Sequence, residues 1–308
     1  CKNDEERLRA DGLAKSLSDK DYVAFWKGVN QTNNSKVPLS ADIDGVAGVS
    51  NITKLWKDHY ASLFNSVKDN ILKNEVENVL SNVDDDDDAN NVTVLCSTNL
   101  TKDCISFLKS GKAPGSDGLY AEHLIFSNPR VHVLLSMIFN AMFVHGYVPS
   151  QLMNTVIVPL VKNKNGNCAD KNNYRPVALS TAISKLLERI ILHKIEIKLY
   201  TTSNQFAYKS NHSTDMCIFT LKQIIEYYTS RSTPVYVCYL DASKAFDSVN
   251  HWKLFKKLLD RKISKVFVRI LVYWYSNQTY CVQWANCRSE SFNVTNGVKQ
   301  GGILSPKL

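Results

Sequence analysis

The chain comprises 308 residues, 44% of them hydrophobic and 21% charged, with a net charge of +8 at neutral pH. This is an ordinary make-up for a folded protein of one or two domains; no apolar run approaches the ~20 residues that cross a bilayer, and no secretory leader opens the chain. Eight cysteines without a C-x-x-C pair argue against a zinc site or disulfide framework, and the basic excess points to a polyanion such as nucleic acid, beside the plainer reading of a mildly basic protein.

In chain order, Asp21 to Asn30 carries Tyr22, Phe25, Trp26 and Val29 at helical spacing, and a polar, turn-rich loop follows to Ser50. Asn51 is placed to cap a helix with Ile52, Leu55, Trp56, Tyr60, Leu63 and Phe64 on one side. These aromatics read as core rather than as a base-stacking platform. The acidic run Asp84 to Asp88 reads as a solvated hinge, because like charges repel and nothing fixes them for a metal. A boundary near residue 90 separates a helical N-terminal extension, 1–90, from a domain at 91–308.

Thr101 is placed to cap a helix with Ile105 and Leu108 inward, stopped by Gly111. The Gly/Pro turn from Lys112 to Gly118, with Lys112 and Asp117, offers backbone amides to a phosphate or is a plain loop. Pro129 opens an apolar helix that Gly146 closes. Thr155 to Val161 and Tyr174 to Leu179 read as a hairpin presenting Lys162 and Arg175 on one side, where arginine can fork onto a triphosphate. Lys162 reads equally as a solvated lysine. Ala182 to Tyr200 is an amphipathic helix, and Ser213 caps another through Met216, Phe219, Leu221 and Ile224.

The apolar run Val235 to Leu240 predicts a strand buried on both faces, with Asp241 at its carboxyl end and Phe246 folded back beside it. A carboxylate there can hold Mg²⁺, a hard cation that prefers oxygen, or can simply cap the next helix. Beside a metal-held nucleotide, the Phe246 ring would clash with a 2′-hydroxyl. Ser264 to Asn277 reads as a helix, and Tyr280 to Trp284 and Ser291 to Val294 as strands facing across a turn at Asn286. Gly297 to Gly302 then opens a helix, with Gln300 offering its amide to a base pair or nucleotide, or forms only a strand-to-helix turn.

Five blocks in order carry a family resemblance. Gly111-Lys112-Ala113-Pro114-Gly115-Ser116-Asp117-Gly118-Leu119 resembles K-A-P-G-x-D-G, Asn173-Tyr174-Arg175-Pro176-Val177 resembles N-Y-R-P-I, and Gln205-Phe206-Ala207-Tyr208 with Ser213-Thr214 resembles Q-x-G-F…S-T. Asp241 to His251 resembles motif A, and Gly297 to Pro306 motif B, of reverse transcriptases from non-LTR (LINE-type, jockey-like) retrotransposons. The resemblance implies an α+β right-hand polymerase, fingers and partial palm, with an antiparallel sheet backed by helices. It implies RNA-directed DNA synthesis with an RNA template, a DNA primer, dNTP and two Mg²⁺ ions, inside the cell, in the nucleus or a cytoplasmic ribonucleoprotein. Asp241 would be catalytic and a metal ligand together with the Ala242 carbonyl. Arg175, Lys162, Phe246 and Gln300 would bind dNTP, and Lys112, Gly115, Asp117 and Gly301 would contact template. Two departures stand out: Ala207 replaces a usual glycine, and no aromatic-x-Asp-Asp occurs. The chain therefore reads as an inactive fragment of a polymerase, the alternative being a noncatalytic nucleic-acid-binding remnant. Oligomeric state is not indicated.

Overall fold

A computed structural model describes residues 10–12, 14–21, 24, 39–67, 69–81 and 95–308. The expected helix over 21–30 and the acidic run 84–88 lie outside the described residues, apart from Asp21 and Ala24.

The architecture is mixed α/β. A small hairpin, β1 (Asp42–Ile43) and β2 (Val46–Ala47), leads into α1 (Val49–Leu63) and α2 (Asn70–Ser81). Helices α3 (Thr98–Ser106), α4 (Ala121–Ile125), α5 (Pro129–His145) and α6 (Ser150–Met153) follow. Strands β3 (Asn154–Val161) and β4 (Tyr174–Leu179) precede α7 (Ala182–Ile195) and α8 (Thr214–Thr229). Helices α9 (His251–Asp260) and α10 (Lys265–Asn277) then lead to β5 (Thr279–Trp284), β6 (Cys287–Arg288) and β7 (Phe292–Asn293).

The expected hairpin forms, with β3 and β4 antiparallel from Val156↔Leu179 to Val161↔Tyr174. The five-stranded sheet runs β4-β3-β5-β6, with β7 also on β5. It is mixed rather than wholly antiparallel, because β5 joins β3 in parallel after the long helical crossover between them. Alternation along β5 buries Tyr280, Val282 and Trp284 on one face. Helix α1 covers that face with the i, i+4 stripe Ile52, Trp56, Tyr60 and Phe64. Trp56 stacks on Tyr60 at 5.4 Å and meets Tyr174 of β4 at 5.0 Å. The aromatics of α1 are therefore core, as their spacing predicts. A second core gathers α5, α7, α9 and α10, and Val76 and Leu80 of α2 join it.

Several starts and stops differ from expectation. Ser97, not Thr101, caps α3 by accepting from Leu100 N–H at 3.1 Å, while Thr101 is buried in the first turn and donates back to the Ser97 carbonyl. Gly48 stands at the N-cap of α1, and Asn51 lies inside its first turn, donating to the Ala47 carbonyl. Pro129 and Gly146 bracket α5 as predicted, with Asn128 as cap. Beside Ala207, which stands where a glycine is usual, it is Tyr208 that has a positive φ, at 57°. No regular helix follows Gly302; Leu304 to Leu308 makes a single turn, too short to propagate.

The largest correction concerns Val235 to Leu240. This segment is not a strand, and Tyr236, Tyr239 and Leu240 are exposed. No strand of the sheet lies beside it, and an extended segment without a partner leaves its backbone groups to water. Helix α8, which precedes it, likewise buries none of its residues, although Ser213 caps it as predicted. Among the described residues the cysteines are free thiols, and no helix is long and apolar enough to cross a membrane.

Candidate active site

A cleft of about 610 Å³ opens where the turn of the β3–β4 hairpin, α1, the turn at residues 243–248 and the loop at 300–302 converge. Four cations line it: Lys162, Lys171, Arg175 and Lys244. Alternation in β4 sends Arg175 outward while Tyr174 and Pro176 are buried. The Lys162 ammonium donates to the Asn172 carbonyl at 3.0 Å, and Lys171 pairs with Asp44 at 2.9 Å. His59 of α1 also faces the cleft; burial first, then the charges of Lys244 and Lys171, hold its pKa below the usual imidazole value. Such a positive pocket concentrates anions.

The opposite wall is built by two loops tied to each other. Val298 N–H donates to the Phe246 carbonyl at 2.8 Å, Gly297 N–H to the Val249 carbonyl at 2.8 Å, and Asn296 Nδ2 to the Asp247 carbonyl at 2.7 Å. Gly297 has φ 86°, and a Cβ there would lie 2.8 Å from the Asp247 carbonyl oxygen, so only glycine permits this approach. Asp247 Oδ1 accepts from Gln300 Nε2 at 2.8 Å. An ionised carboxylate only accepts, so Asp247 fixes which end of the Gln300 amide faces it and leaves the amide oxygen free for the cleft. Burial raises the Asp247 pKa, partly offset by that hydrogen bond. The Gln300 carbonyl accepts from Ala178 N–H at 2.9 Å, which docks the loop on β4.

Behind this loop lies a buried ion pair between Lys299 Nζ and Glu188 Oε1 of α7, at 3.2 Å. Glu188 Oε2 accepts from Ile303 N–H at 2.7 Å, and Lys299 sits 4.6 Å from the Trp274 ring centroid. The loop is thereby anchored to the helical core.

Of the residues singled out from the sequence, Arg175, Lys162, Ala242, Phe246, Gln300 and Gly301 line the one cleft. Phe246 is half-buried, its ring edge-on to Tyr208 at 6.4 Å. Asp241 is exposed, one residue before Ala242, at the end of the unpaired segment rather than on a sheet rim. Lys112 and Gly301 line a second cavity, walled by the carboxyl half of β4. Gly115 and Asp117 line neither cavity. Gly115 is buried against the Ser180–Thr181 backbone, where a Cβ would come within 2.6 Å of Thr181 N, and Asp117 closes its own turn by accepting from Leu119 N–H. Sequence reasoning assigned no function to His59, Glu188 or Lys299 and gave Asp247 no chemical role; Asp247 and Lys299 sat within motifs that could have drawn attention to them.

His251, which closes the motif A block but was given no role from the sequence, supports the same loop. It is buried edge-on to Tyr275 at 4.8 Å and pairs through Nε2 with the Gly297 carbonyl at 2.7 Å, so the neutral ring donates there. Burial lowers its pKa from 6.5 to about 4. As pH falls the unfolded chain therefore takes up the proton first. The histidine's contribution is complete above the unfolded value and is lost as pH drops through 6.5 towards about 4, a loss approaching ~3 kcal/mol. Urea unfolding at about pH 7.5 and about pH 4.5 should show a smaller pH difference for His251→Gln than for wild type. Asp247, with its raised pKa, acts in the reverse sense and is present in both proteins. Identical differences would mean that His251 does not titrate as its burial demands.

Residues 161–308 match the family "Reverse transcriptase (RNA-dependent DNA polymerase)". The chain is 28% identical over 211 residues to the RNA-directed DNA polymerase from mobile element jockey of Drosophila funebris, covering 67% of this chain and 23% of that protein. A probable RNA-directed DNA polymerase from transposon X-element of Drosophila melanogaster is 28% identical, over 65% of this chain and 22% of its own length. The Pol polyprotein of the type-1 retrotransposable element R2 from Popillia japonica is 28% identical, over 64% and 27%. The chain thus spans about a quarter of the length of these relatives. Residues 161–308 thus match the reverse transcriptase family, and the chain is similar to RNA-directed DNA polymerases of jockey-like, non-LTR retrotransposons.

Proposed function

We propose that this chain supplies the nucleotide-binding fingers and part of the palm of an RNA-directed DNA polymerase that extends a primer 3′-hydroxyl on an RNA template. The observation that carries this is the single cationic cleft in which Arg175, Lys162, Phe246, Gln300 and the backbone of Ala242 meet. Arg175 and Lys162 balance triphosphate charge, Gln300 presents the oxygen of an amide whose nitrogen Asp247 holds, and Phe246 screens the sugar. Asp241 and the Ala242 carbonyl would hold Mg²⁺. The donors suit it: they are hard oxygens, few in number, and Mg²⁺ commonly binds one or two carboxylates together with substrate phosphates. When bound, the metal lowers the pKa of the attacking hydroxyl and stabilises charge on the phosphate.

The test is dNTP binding by the 308-residue chain, read by titration calorimetry. Arg175→Ala should weaken binding about 10- to 100-fold, the scale of a lost charge-assisted hydrogen bond. Unchanged affinity would remove the cleft from the nucleotide pathway. The exposed, unpaired approach to Asp241, and the absence among the described residues of three clustered metal-ligating side chains, favour a second reading: a nucleic-acid-binding chain without turnover. Tight binding of template–primer with no Mg²⁺-dependent extension would select it.

A further inference from the structure

We propose that His59, on helix α1, is a phosphate-contacting residue of the nucleotide cleft and takes up a proton as a triphosphate enters. The proposal rests on the polymerase reading and adds to it a residue from outside the segment that matches the family, residues 161–308. Helix α1 lays Ile52, Trp56, Tyr60 and Phe64 on the sheet. His59 stands at the margin of that stripe, about 100° round the helix from Tyr60 and one turn before Leu63. His59 and Leu63 both line the cleft, so this margin of α1 is one of its walls. Neighbouring rings hold the imidazole in place: it is edge-on to Trp56 at 6.0 Å and tilted on Tyr60 at 5.1 Å. No described residue hydrogen-bonds to its ring nitrogens.

The charges around this ring call for an anion. They are Asp44 from the β1–β2 turn, Lys162, Lys171 and Arg175 from the β3–β4 hairpin, and Lys244 and Asp247 from the turn at residues 243–248. Tyr60, Tyr174 and Tyr208 are the other titratable side chains of the cleft. Lys171 is paired with Asp44 at 2.9 Å, and Asp247 accepts from Gln300. Cations therefore outnumber acids, and together with burial they hold the imidazole neutral. A triphosphate reverses the local field. Its oxygens favour the protonated ring, which then donates a charge-assisted hydrogen bond to them.

Position selects the phosphates rather than the base. The cations that act on His59 are Lys244, Lys171 and Lys162, so the ring sits among the lysines of the cleft. Phe246 and Gln300, which face sugar and base in the polymerase reading, belong to the opposite wall.

The experiment measures dTTP affinity of the 308-residue chain by titration calorimetry at about pH 6 and about pH 8.5, for wild type and His59→Gln. Glutamine keeps a hydrogen-bonding side chain but cannot gain the proton. At the higher pH the two proteins should agree within about twofold. At the lower pH His59→Gln should bind about tenfold more weakly, the lower end of one charge-assisted hydrogen bond. The terminal phosphate also titrates, but equally for both proteins, so the ratio of affinities reports His59. A ratio that is the same at both pH values overturns the role of His59 and leaves the cleft assignment standing. Failure of wild type to bind dTTP at either pH overturns both. Should a thermal melt show the variant unfolded, wild-type titrations at about pH 7.5 in buffers of different ionisation enthalpy decide alone: net proton uptake supports the contact, and none overturns it.

Discussion

In a polypeptide extended to the length of its jockey-type relatives, Asp241→Ala is expected to lower Mg²⁺-dependent primer extension by at least about a thousandfold. Affinity for template–primer should stay within about threefold, because one exposed carboxylate contributes nothing favourable to phosphate binding. The expectation comes from placement. Asp241 is exposed and joined to Ala242, which lines the cleft with Arg175 and Gln300. It forms no part of either hydrophobic core, so its removal has little to unfold. A gel-based extension assay beside an anisotropy titration separates the two quantities. Parallel losses in both would make Asp241 a structural residue and leave the metal without its main ligand.

Glu188→Ala should cost about 3–5 kcal/mol of folding free energy, a large share of what holds a domain together. The side chains of Lys299 and Glu188 are only 5% and 6% exposed. Removing the acid strands a buried ammonium and takes the acceptor from the Ile303 N–H, and each loss is expensive away from water. Glu188→Gln keeps an acceptor and should fall between wild type and alanine. Replacing both partners by methionine should recover most of the loss, since a well-packed apolar pair often matches a buried ion pair. Urea unfolding measures all four proteins. A loss below about 1 kcal/mol for Glu188→Ala would show that water reaches the pair. Because Lys299 precedes Gln300, the alanine variant should also loosen nucleotide binding even where it remains folded.

What the sequence made legible depended on whether the signal was local. The β3–β4 hairpin, the bracketing of α5 by Pro129 and Gly146, and the aromatic stripe of α1 follow from alternation, capping residues and i, i+4 spacing. The gathering of Arg175, Phe246 and Gln300 in one cleft followed the three motifs that hold them. Three things escaped. Val235 to Leu240 has strand composition, but composition does not provide a neighbour, and none of the sheet's strands lies alongside. The parallel join of β5 to β3 is a tertiary choice that a strand pattern leaves open. The ties of Asp247 to Gln300 and of Glu188 to Lys299 link residues far apart in the chain, beyond the reach of any periodicity.

The partnership between α1 and the last strands has a consequence for how the molecule is made. Phe64 and Thr295, 231 positions apart, share a hydrogen bond, and the aromatic stripe of α1 has its cover in Tyr280, Val282 and Trp284. On a ribosome, this helix emerges long before the residues that will shelter it. Its tryptophan and tyrosine must wait, exposed to chaperones or to one another, until β5 has followed. Acquisition of the native packing around α1 therefore waits for residues more than 200 positions later, and a cut anywhere before β5 strips this helix of its shelter.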